Sequence, residues 1–278
     1  MKYFISIDME GIWGISHFSE PWDRIGKLMT QELEHVAQIL SDLDSRAKIV
    51  VCDSHAFGTN IYPENLGVNI ELIRGFPRKF YMMEGLDNTF DAALFVGYHA
   101  PVGLEKGAMD HTYSSSSFFE IKINGQVVGE SEINAIFASL FNVPVIFISG
   151  DSALFDFSSK FFPETEFLIT KKSIGHNAVW LLERDRVFSN RIKSLENAFK
   201  KLKEGRFKTF VENNPVFNPP YTLLITLKDT LRCDLVSILP QVERISGRTI
   251  KYVSQDFKEI YRFIVASSII AWQANQIR

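Results

Sequence analysis

The sequence has few cysteines, no excess of positive charge and no long apolar run, and each shortage excludes a class of protein. Cys52 and Cys233 are the only cysteines, so there is no disulfide framework, and we expect a reducing, cytoplasmic compartment. Lys and Arg total 30 against 33 Asp and Glu, which argues against nucleic-acid binding driven by positive charge. The apolar stretch from Phe263 to Trp272 is shorter than the ~20 residues that a membrane-spanning helix needs, so we expect no membrane partner.

Several familiar catalytic motifs are also missing. No Gly-x-Gly-x-x-Gly follows the first apolar run, and no phosphate-binding loop ends in Gly-Lys-Ser/Thr. Neither His-Glu-x-x-His nor Gly-x-Ser-x-Gly occurs. Dinucleotide enzymes, P-loop enzymes and typical serine hydrolases are therefore disfavoured. The 278 residues, 46% of them hydrophobic, are enough for one large domain or two smaller ones with cores of their own.

Short apolar runs and helical patterns alternate through the first two thirds of the chain. The runs are almost continuously apolar, which is typical of strands that are buried on both faces of a sheet. Strands alternating with helices predict a mostly parallel, Rossmann-like α/β sheet in three layers. The predicted strands are Tyr3–Ile7, Lys48–Cys52, Ala93–Tyr98, Pro144–Ser149 and Phe167–Thr170, and the predicted helices include Leu33–Leu43, Ile133–Phe141 and Ala178–Leu202.

The remaining segments predict a hairpin and a second, smaller α+β domain. Asn124-Gly125 supplies the turn of a β-hairpin over residues 118–128. The composition becomes linker-like at residues 213–220, and a strand, helix, strand and apolar helix follow. We therefore predict a catalytic α/β domain over residues 1–212, which includes the hairpin, and a small α+β domain over residues 213–278. The predicted elements of the second domain are Tyr221–Leu227, Leu231–Ile245, Thr249–Val253 and the final helix.

Acidic and imidazole side chains follow four of the predicted strands. In open α/β sheets, ligands bind outside the carboxyl ends of the strands, so these side chains meet at one edge. Asp8 and Glu10 point the same way on extended backbone, and two adjacent carboxylates both stay ionised only beside a cation. Carboxylates and imidazoles together are the donors expected for zinc, and manganese or cobalt takes the same set. The strand-end residues are Asp8, Glu10, Asp53, His55, His99 and Asp151.

Each of these residues also has a structural alternative. Asp8, Asp53 and Asp151 have the residue type of a helix or loop cap, and His99 alone is typical of a core histidine bonded to backbone. Glu130, at the start of a predicted helix, matches the helix dipole. The recurrence of such residues at successive strand ends favours a metal site over these separate explanations.

The same segments resemble the D-aminopeptidase (dipeptide transport protein) family of zinc peptidases. The matches run in order over about the first 180 residues, and beyond Asn213 the similarity is one of pattern only. They are SIDMEGI-x-G from Ser6 to Gly14, DSH from Asp53 to His55, MEGLD from Met83 to Asp87, GYHA from Gly97 to Ala100, and VGE from Val128 to Glu130 with Asn134-Ala135.

This resemblance implies a metal-dependent aminopeptidase with two zinc ions per chain, acting on short peptides that often begin with a D-residue. It also implies a ring-shaped homodecamer. Asp8 matches the carboxylate that bridges both metals, Glu10 and His55 match the ligands of one, and His99 and Glu130 those of the other. His111 matches a further active-site histidine that does not bind metal. Glu132 departs from the family pattern, and it either perturbs the charge of the site or faces solvent.

Two other functions are open on the residues alone. A binuclear metal phosphohydrolase uses similar carboxylate and imidazole clusters, although we find no evident Arg or Lys in the loops that carry the proposed ligands. A non-catalytic module that stores metal or binds a solute would bind ions without turnover, and it leaves the placement of His111 unexplained.

Overall fold

The computed structural model describes residues 1–67 and 69–277, and over these residues its strands form two sheets. In chain order the strands are β1 (Lys2–Ile7), β2 (Lys48–Asp53), β3 (Ile70–Ile73), β4 (Ala92–Tyr98), β5 (Phe118–Ile123), β6 (Gln126–Val127), β7 (Val145–Asp151), β8 (Glu166–Gly175), β9 (Ala178–Leu181), β10 (Tyr221–Leu227), β11 (Glu243–Arg244) and β12 (Thr249–Ser254). The larger sheet has the order β3-β2-β1-β4-β7-β8-β9, and the smaller has the order β11-β12-β10-β5-β6. The larger sheet is parallel except for β9, which pairs antiparallel with β8.

Helices and the second sheet cover the two faces of the larger sheet. The helices are α1 (Trp22–Leu43), α2 (Glu130–Ser139), α3 (Ser152–Ser158), α4 (Arg184–Lys203), α5 (Phe210–Asn213), α6 (Thr230–Val236), α7 (Phe257–Trp272) and α8 (Ala274–Ile277). Alternate residues of β1 face opposite sides: Tyr3 and Ile5 pack in a core with α1 and α4, whereas Phe4 packs in a core with α2 and α7. The predicted mostly parallel, three-layer α/β fold with a smaller α+β part is confirmed.

Each apolar run predicted as a strand forms one, with ends within two residues of the prediction except in β8, which continues past Thr170 to Gly175. The helix predicted from Ala178 is wrong at its start, because Ala178–Leu181 is the antiparallel edge strand β9 and the helix begins only at Arg184. The helix predicted over Leu231–Ile245 is too long: α6 ends at Val236, and β11 pairs with β12 in the segment that follows. β3, an edge strand of four residues, was not predicted.

The hairpin forms with the predicted turn. Asn124 and Gly125 both have positive φ, at 50° and 82°. β5 pairs on its other side with β10, so the hairpin supplies two strands to the smaller sheet. The division into residues 1–212 and 213–278 stays a prediction. Over the described part of the chain, no helix has the length and apolarity needed to cross a membrane.

Candidate metal centre

The carboxyl ends of β1, β2 and β4 bring four of the predicted ligands together. His55 Nδ1 lies 3.3 Å from Asp8 Oδ1 and 3.3 Å from Glu10 Oε2. His99 Nε2 lies 3.5 Å from Asp8 Oδ2. The two oxygens of the Asp8 carboxylate thus face different imidazoles, and Asp8 stands in the middle of the cluster.

Glu130 and His111 complete the cluster from the segments that flank the hairpin. Glu130 is the first residue of α2, and its Oε2 lies 3.5 Å from His99 Nε2. His111 Nε2 lies 3.7 Å from Glu130 Oε1 and 4.0 Å from Glu10 Oε1. The rings of His99 and His111 stack in parallel with their centroids 4.2 Å apart. All six residues predicted for the site are therefore neighbours.

The buried donor atoms of this cluster fit metal ions. Asp8, Glu10 and Glu130 are at most 3% exposed. Both carboxylate oxygens of Glu10 and Nε2 of His99 are buried without a hydrogen-bond partner among the described residues. Buried carboxylates without donors are strongly unfavourable unless a cation accompanies them. The donor set fits divalent zinc, since oxygens and imidazole nitrogens are its usual protein ligands.

The donor atoms fall into overlapping groups, and within each group they lie within 4.8 Å of one another. One group is Asp8, Glu10 and His55, and another is Asp8, His99 and Glu130. These are the two ligand sets that the resemblance implied, and Asp8 belongs to both. A third group joins Glu10, His99 and His111, so distance alone does not separate His111 from the ligands.

Backbone carbonyls orient two of the imidazoles. Nδ1 of His99 lies 2.9 Å from the carbonyl oxygen of Ala100, and Nδ1 of His111 lies 2.9 Å from that of Met109. A carbonyl accepts only, so in each ring Nδ1 carries the proton that it donates. Nε2 of each neutral ring is then left with a lone pair directed into the cluster, as a metal ligand or proton acceptor requires.

Burial and close charges shift the pKa values within the cluster. Burial and the charge of Glu10 raise the pKa of Asp8 to about 7. Burial alone would lower the pKa of His99, but the carboxylates of Glu130, Glu10 and Asp8 raise it to about 10. Burial would also lower the pKa of His55, but Glu10 and Asp8 raise it well above its usual value. Burial and the charge of His99 instead lower the pKa of His111.

Two residues of β8 hold the loop that carries Glu10, and sequence reasoning missed both. The ammonium group of Lys171 is fully buried and donates to the carbonyl oxygens of Glu10, Ile12 and Ile15, the last at 2.5 Å. Thr170 Oγ1 donates to the carbonyl oxygen of Gly11 at 2.6 Å. Burial lowers the pKa of Lys171 to about 8, so its amine still carries a charge at pH 7.

A close contact between the loop after β1 and the end of β4 requires glycine at position 11. The amide of Gly11 donates to the carbonyl of Gly97 at 2.7 Å. A Cβ at Gly11 would lie 2.0 Å from the carbonyl oxygen of Tyr98, which no side chain tolerates. Glycine at this position therefore lets the loop that carries Glu10 lie directly on the end of β4.

A buried polar network, also missed from the sequence, connects the cluster with α7. Asn134 Nδ2 donates to Tyr98 Oη at 2.8 Å, and Tyr98 Oη donates to Ser6 Oγ at 2.7 Å. The hydroxyls of Tyr113 and Tyr261 both donate to Asn134 Oδ1, at 2.9 and 2.8 Å. The amide of Tyr113 donates to Glu130 Oε1 at 2.6 Å, which joins the network to the site.

Three other acidic residues considered from the sequence have structural partners. Asp53 accepts from the amides of Asn60 and Ile61, and Asp151 caps α3 by accepting from the amide of Leu154 at 2.8 Å. Glu132 is fully buried, so it does not face solvent. Its carboxylate accepts from the amide of Gly129 and from Ser158 Oγ, which makes it a cap of α2. The N-cap of α2 is Gly129, so the usual Ser/Thr-x-x-Glu signal of a capping box is absent from the sequence here.

Comparison with known proteins agrees with the resemblance. The sequence model of the D-aminopeptidase family (peptidase M55) matches residues 1–266. A D-aminopeptidase of Bacillus subtilis (strain 168) is 28% identical over 287 residues, which cover 99% of each chain. The solved structure of the Zn-dependent D-aminopeptidase DppA from Bacillus subtilis, a self-compartmentalizing protease, is similar with a TM-score of 0.89 and 27% identity over 98% of each chain. The predicted resemblance is confirmed, and the chain belongs to the D-aminopeptidase family.

Proposed function

We propose that this protein is a zinc-dependent aminopeptidase that binds two zinc ions per chain and hydrolyses short peptides. The observation that carries the proposal is the position of Asp8, whose carboxylate belongs to two groups of potential ligands. A carboxylate shared in this way reduces the repulsion between two dications. Zinc is supported by the donor set and by the zinc dependence of the related Bacillus subtilis enzyme.

The ligand assignment follows the groups of neighbouring donors. Asp8, Glu10 and His55 would hold one ion, and Asp8, His99 and Glu130 the other. When bound, the pair of ions supplies a water of lowered pKa and polarises the scissile carbonyl. Three protein ligands at each ion leave coordination positions open, as a catalytic rather than a structural zinc requires.

His111 is suited to move the proton that amide hydrolysis requires. Its Nδ1 donates to the carbonyl of Met109, which directs the Nε2 lone pair towards Glu10 and Glu130. His111 Nε2 can accept the proton of the attacking water and then donate it to the departing amine. Because Nε2 is an acceptor in this tautomer, the arrangement favours proton transfer over a fixed hydrogen bond to the oxyanion. His111 then has a catalytic role and is not a metal ligand.

The phosphohydrolase and storage functions are less well supported. No Lys or Arg lines the cavity above the cluster among the residues that the structure describes, and a phosphate ester site would use one. Metal storage does not require an imidazole that is held as a proton acceptor beside the ligands.

A panel of substrates on the zinc-loaded protein tests the proposed function. Aminoacyl amides of the D- or the L-configuration should be hydrolysed, N-acetylated amides should not, and phosphate monoesters should be stable. Turnover of phosphate esters alone would support the phosphohydrolase, and two bound ions without any turnover would support the storage module.

We also infer that the chain assembles into a ring-shaped homodecamer. The inference rests on the family resemblance and on the description of the related enzyme as self-compartmentalizing. Exposed apolar residues on β8 and β9 offer surface for contacts between copies: Ile174 is 57% and Trp180 is 64% exposed.

A further inference from the structure

A cavity of about 570 Å³ opens above the metal cluster. Asp8, Glu10, His55, His111 and Glu130 all line it, so the cavity contains the atoms of the proposed reaction. Its volume is in the range of pockets that bind small ligands, roughly 300 to 1,000 Å³. It is therefore the place where the ends of a short peptide substrate would be held.

One wall of the cavity is aromatic. The rings of Phe57 and Phe76 lie 5.9 Å apart, and those of Phe76 and Tyr81 lie 6.1 Å apart. Trp22 adds a fourth ring, 6.1 Å from the imidazole of His55. Phe57 is 67% exposed, so its ring contributes little to the core and remains available to a ligand.

The last turns of α7 supply a second apolar wall. Val265, Ile269 and Trp272 line the cavity from this helix. Trp272 is 46% and Ile269 is 38% exposed. The spacing of four and three residues places all three on one face of α7, and that face extends from the core into the cavity.

The charges of the cavity are confined to its floor. Among the described lining residues, the carboxylates are Asp8, Glu10 and Glu130, and no Lys or Arg is present. The walls therefore offer no cation to bind an acidic side chain or the terminal carboxylate of a peptide. Near the rings and α7, the lining matches an uncharged, apolar group.

We propose that the wall residues Trp22, Phe57, Phe76 and Trp272 form an aromatic subsite that binds apolar, preferably aromatic, side chains of the substrate. In this arrangement the cluster binds the amino end of the peptide, and the rings bind its side chain. The terminal carboxylate is not recognised. This subsite rests on the proposed function, because the cluster on its floor is taken as the catalytic centre. It deepens that function by naming the class of peptide.

Kinetics on matched amides test the preference. On the zinc-loaded protein, kcat/KM for phenylalanyl and leucyl amides should exceed that for alanyl amide by roughly tenfold or more in the preferred configuration. Aspartyl amide should be the poorest of the four. Adding a free carboxylate to the leaving group should change kcat/KM less than threefold. Equal rates on phenylalanyl, alanyl and aspartyl amides would overturn the subsite.

Variants of two wall residues show whether the rings themselves confer the preference. Phe57→Ala and Trp272→Ala should each raise KM for phenylalanyl amide by roughly five- to tenfold and leave KM for alanyl amide within twofold. Phe119→Ala is the matched control, because Phe119 is 52% exposed, between Phe57 and Trp272 in exposure, but lies on β5 outside the cavity lining. If Trp272→Ala changed the sedimentation of the assembly but neither KM, the α7 wall would serve subunit contacts, and the proposal would be wrong.

Ligand binding separates this proposal from the proposed function. Phenylalaninol and alaninol, which carry an amine and a side chain but no scissile bond, are titrated calorimetrically into the zinc-loaded protein. Phenylalaninol should bind at least tenfold more tightly, and Phe57→Ala should remove most of the difference. Tighter phenylalaninol binding in a protein that cleaves no amide would uphold the subsite and refute the peptidase. Equal binding of both alcohols would refute the subsite, whatever the enzyme hydrolyses.

Discussion

Glu10 is the residue whose surroundings most directly require a cation. Its carboxylate is fully buried, and neither oxygen has a hydrogen-bond donor among the described residues, whereas Glu132, also fully buried, accepts hydrogen bonds from a backbone amide and hydroxyls. Two buried acids of the same type thus differ in how their charge is compensated. This difference separates a proposed ligand from a structural carboxylate.

Glu130 and Glu132 lie two residues apart in the first turn of α2, and they give a matched prediction. Glu130→Gln should weaken zinc binding at one of the two sites by tenfold or more, because an amide oxygen is a much poorer ligand than a carboxylate. Glu132→Gln should retain both ions and lose stability instead, since it weakens the cap of α2. Zinc content by elemental analysis and thermal melting check both variants. Equal zinc loss in the two variants would contradict the assignment of Glu130.

Zinc binding should release protons at neutral pH. The pKa of His99 is raised to about 10 and that of His55 well above its usual value, so in chelator-treated protein both imidazoles carry a proton at pH 7. Zinc binds the neutral ring, and its affinity must therefore fall as the pH falls below these raised values. Calorimetry in buffers of different ionisation enthalpy should show about two to three protons released per chain at pH 7, because Asp8, with a pKa of about 7, is also partly protonated. Zinc binding without proton release would contradict this electrostatic account.

His111→Ala separates proton transfer from metal binding. Zinc content should stay at two ions per chain, while kcat on an aminoacyl amide falls roughly a hundredfold or more, as for loss of a general acid–base group. His17→Ala is the control, because in the described part of the chain the imidazole of His17 hydrogen-bonds to Ser19 of its own loop. Loss of an ion from His111→Ala would make it a ligand, and an unchanged kcat with normal melting would exclude the catalytic role.

The residues of the site could be predicted to different degrees. Asp8, Glu10, His55 and His99 follow strands of a parallel sheet, and this topology alone brings strand ends together. Glu130 and His111 reach the site from the segments that flank the hairpin, so their grouping depended on the family resemblance. Lys171 and Asn134 act through partners more than 20 residues away, and no local pattern identifies such contacts.

At the level of elements, β8 supports the loop after β1. Lys171→Met removes a buried ammonium and its hydrogen bonds to three carbonyls, so it should destabilise the fold by about 3 kcal/mol and weaken zinc binding at the Glu10 site. Lys172→Met, in the exposed neighbouring position, should cost less than about 1 kcal/mol. Chemical denaturation and zinc titration measure the two effects. Equal stability of the two variants would show that the loop does not depend on Lys171.

Strand β9 shows where sequence reasoning about elements failed. Ala178–Leu181 contains good helix formers, and it continues into a true helix, so its pattern favoured a single long helix. In the fold, these residues pair antiparallel with Lys171 to Gly175, and that pairing overrides the intrinsic preference. The buried parallel strands were predictable because their continuous apolar runs have no helical alternative of similar length.

At the scale of the whole molecule, the hairpin joins the two halves of the chain. β5 pairs with β10, and α2, which follows the hairpin, begins with the proposed ligand Glu130. Pairing between segments about 100 residues apart has no signature in a single sequence. The hairpin itself was predictable from Asn124-Gly125, but the sheet that it joins was not.

The proposed assembly has a direct test in solution. Light scattering with size-exclusion chromatography should give a mass about ten times that of the 31.8 kDa chain. Replacing exposed Trp180 by Glu should shift the mass towards smaller species if β9 lies in a contact between copies, because a buried unpaired charge is strongly unfavourable. A monomeric wild-type protein would refute the ring.

The central claim is that two zinc ions at this cluster make the chain an aminopeptidase, and one titration tests it most directly. Chelator-treated protein is titrated with zinc while bound zinc per chain and hydrolysis of an aminoacyl amide are followed together. Our account predicts that both rise to a limit at two ions per chain, and that Asp8→Ala abolishes the activity and the tight binding of both ions. Full hydrolysis without zinc, or two tightly bound ions in Asp8→Ala, would contradict it.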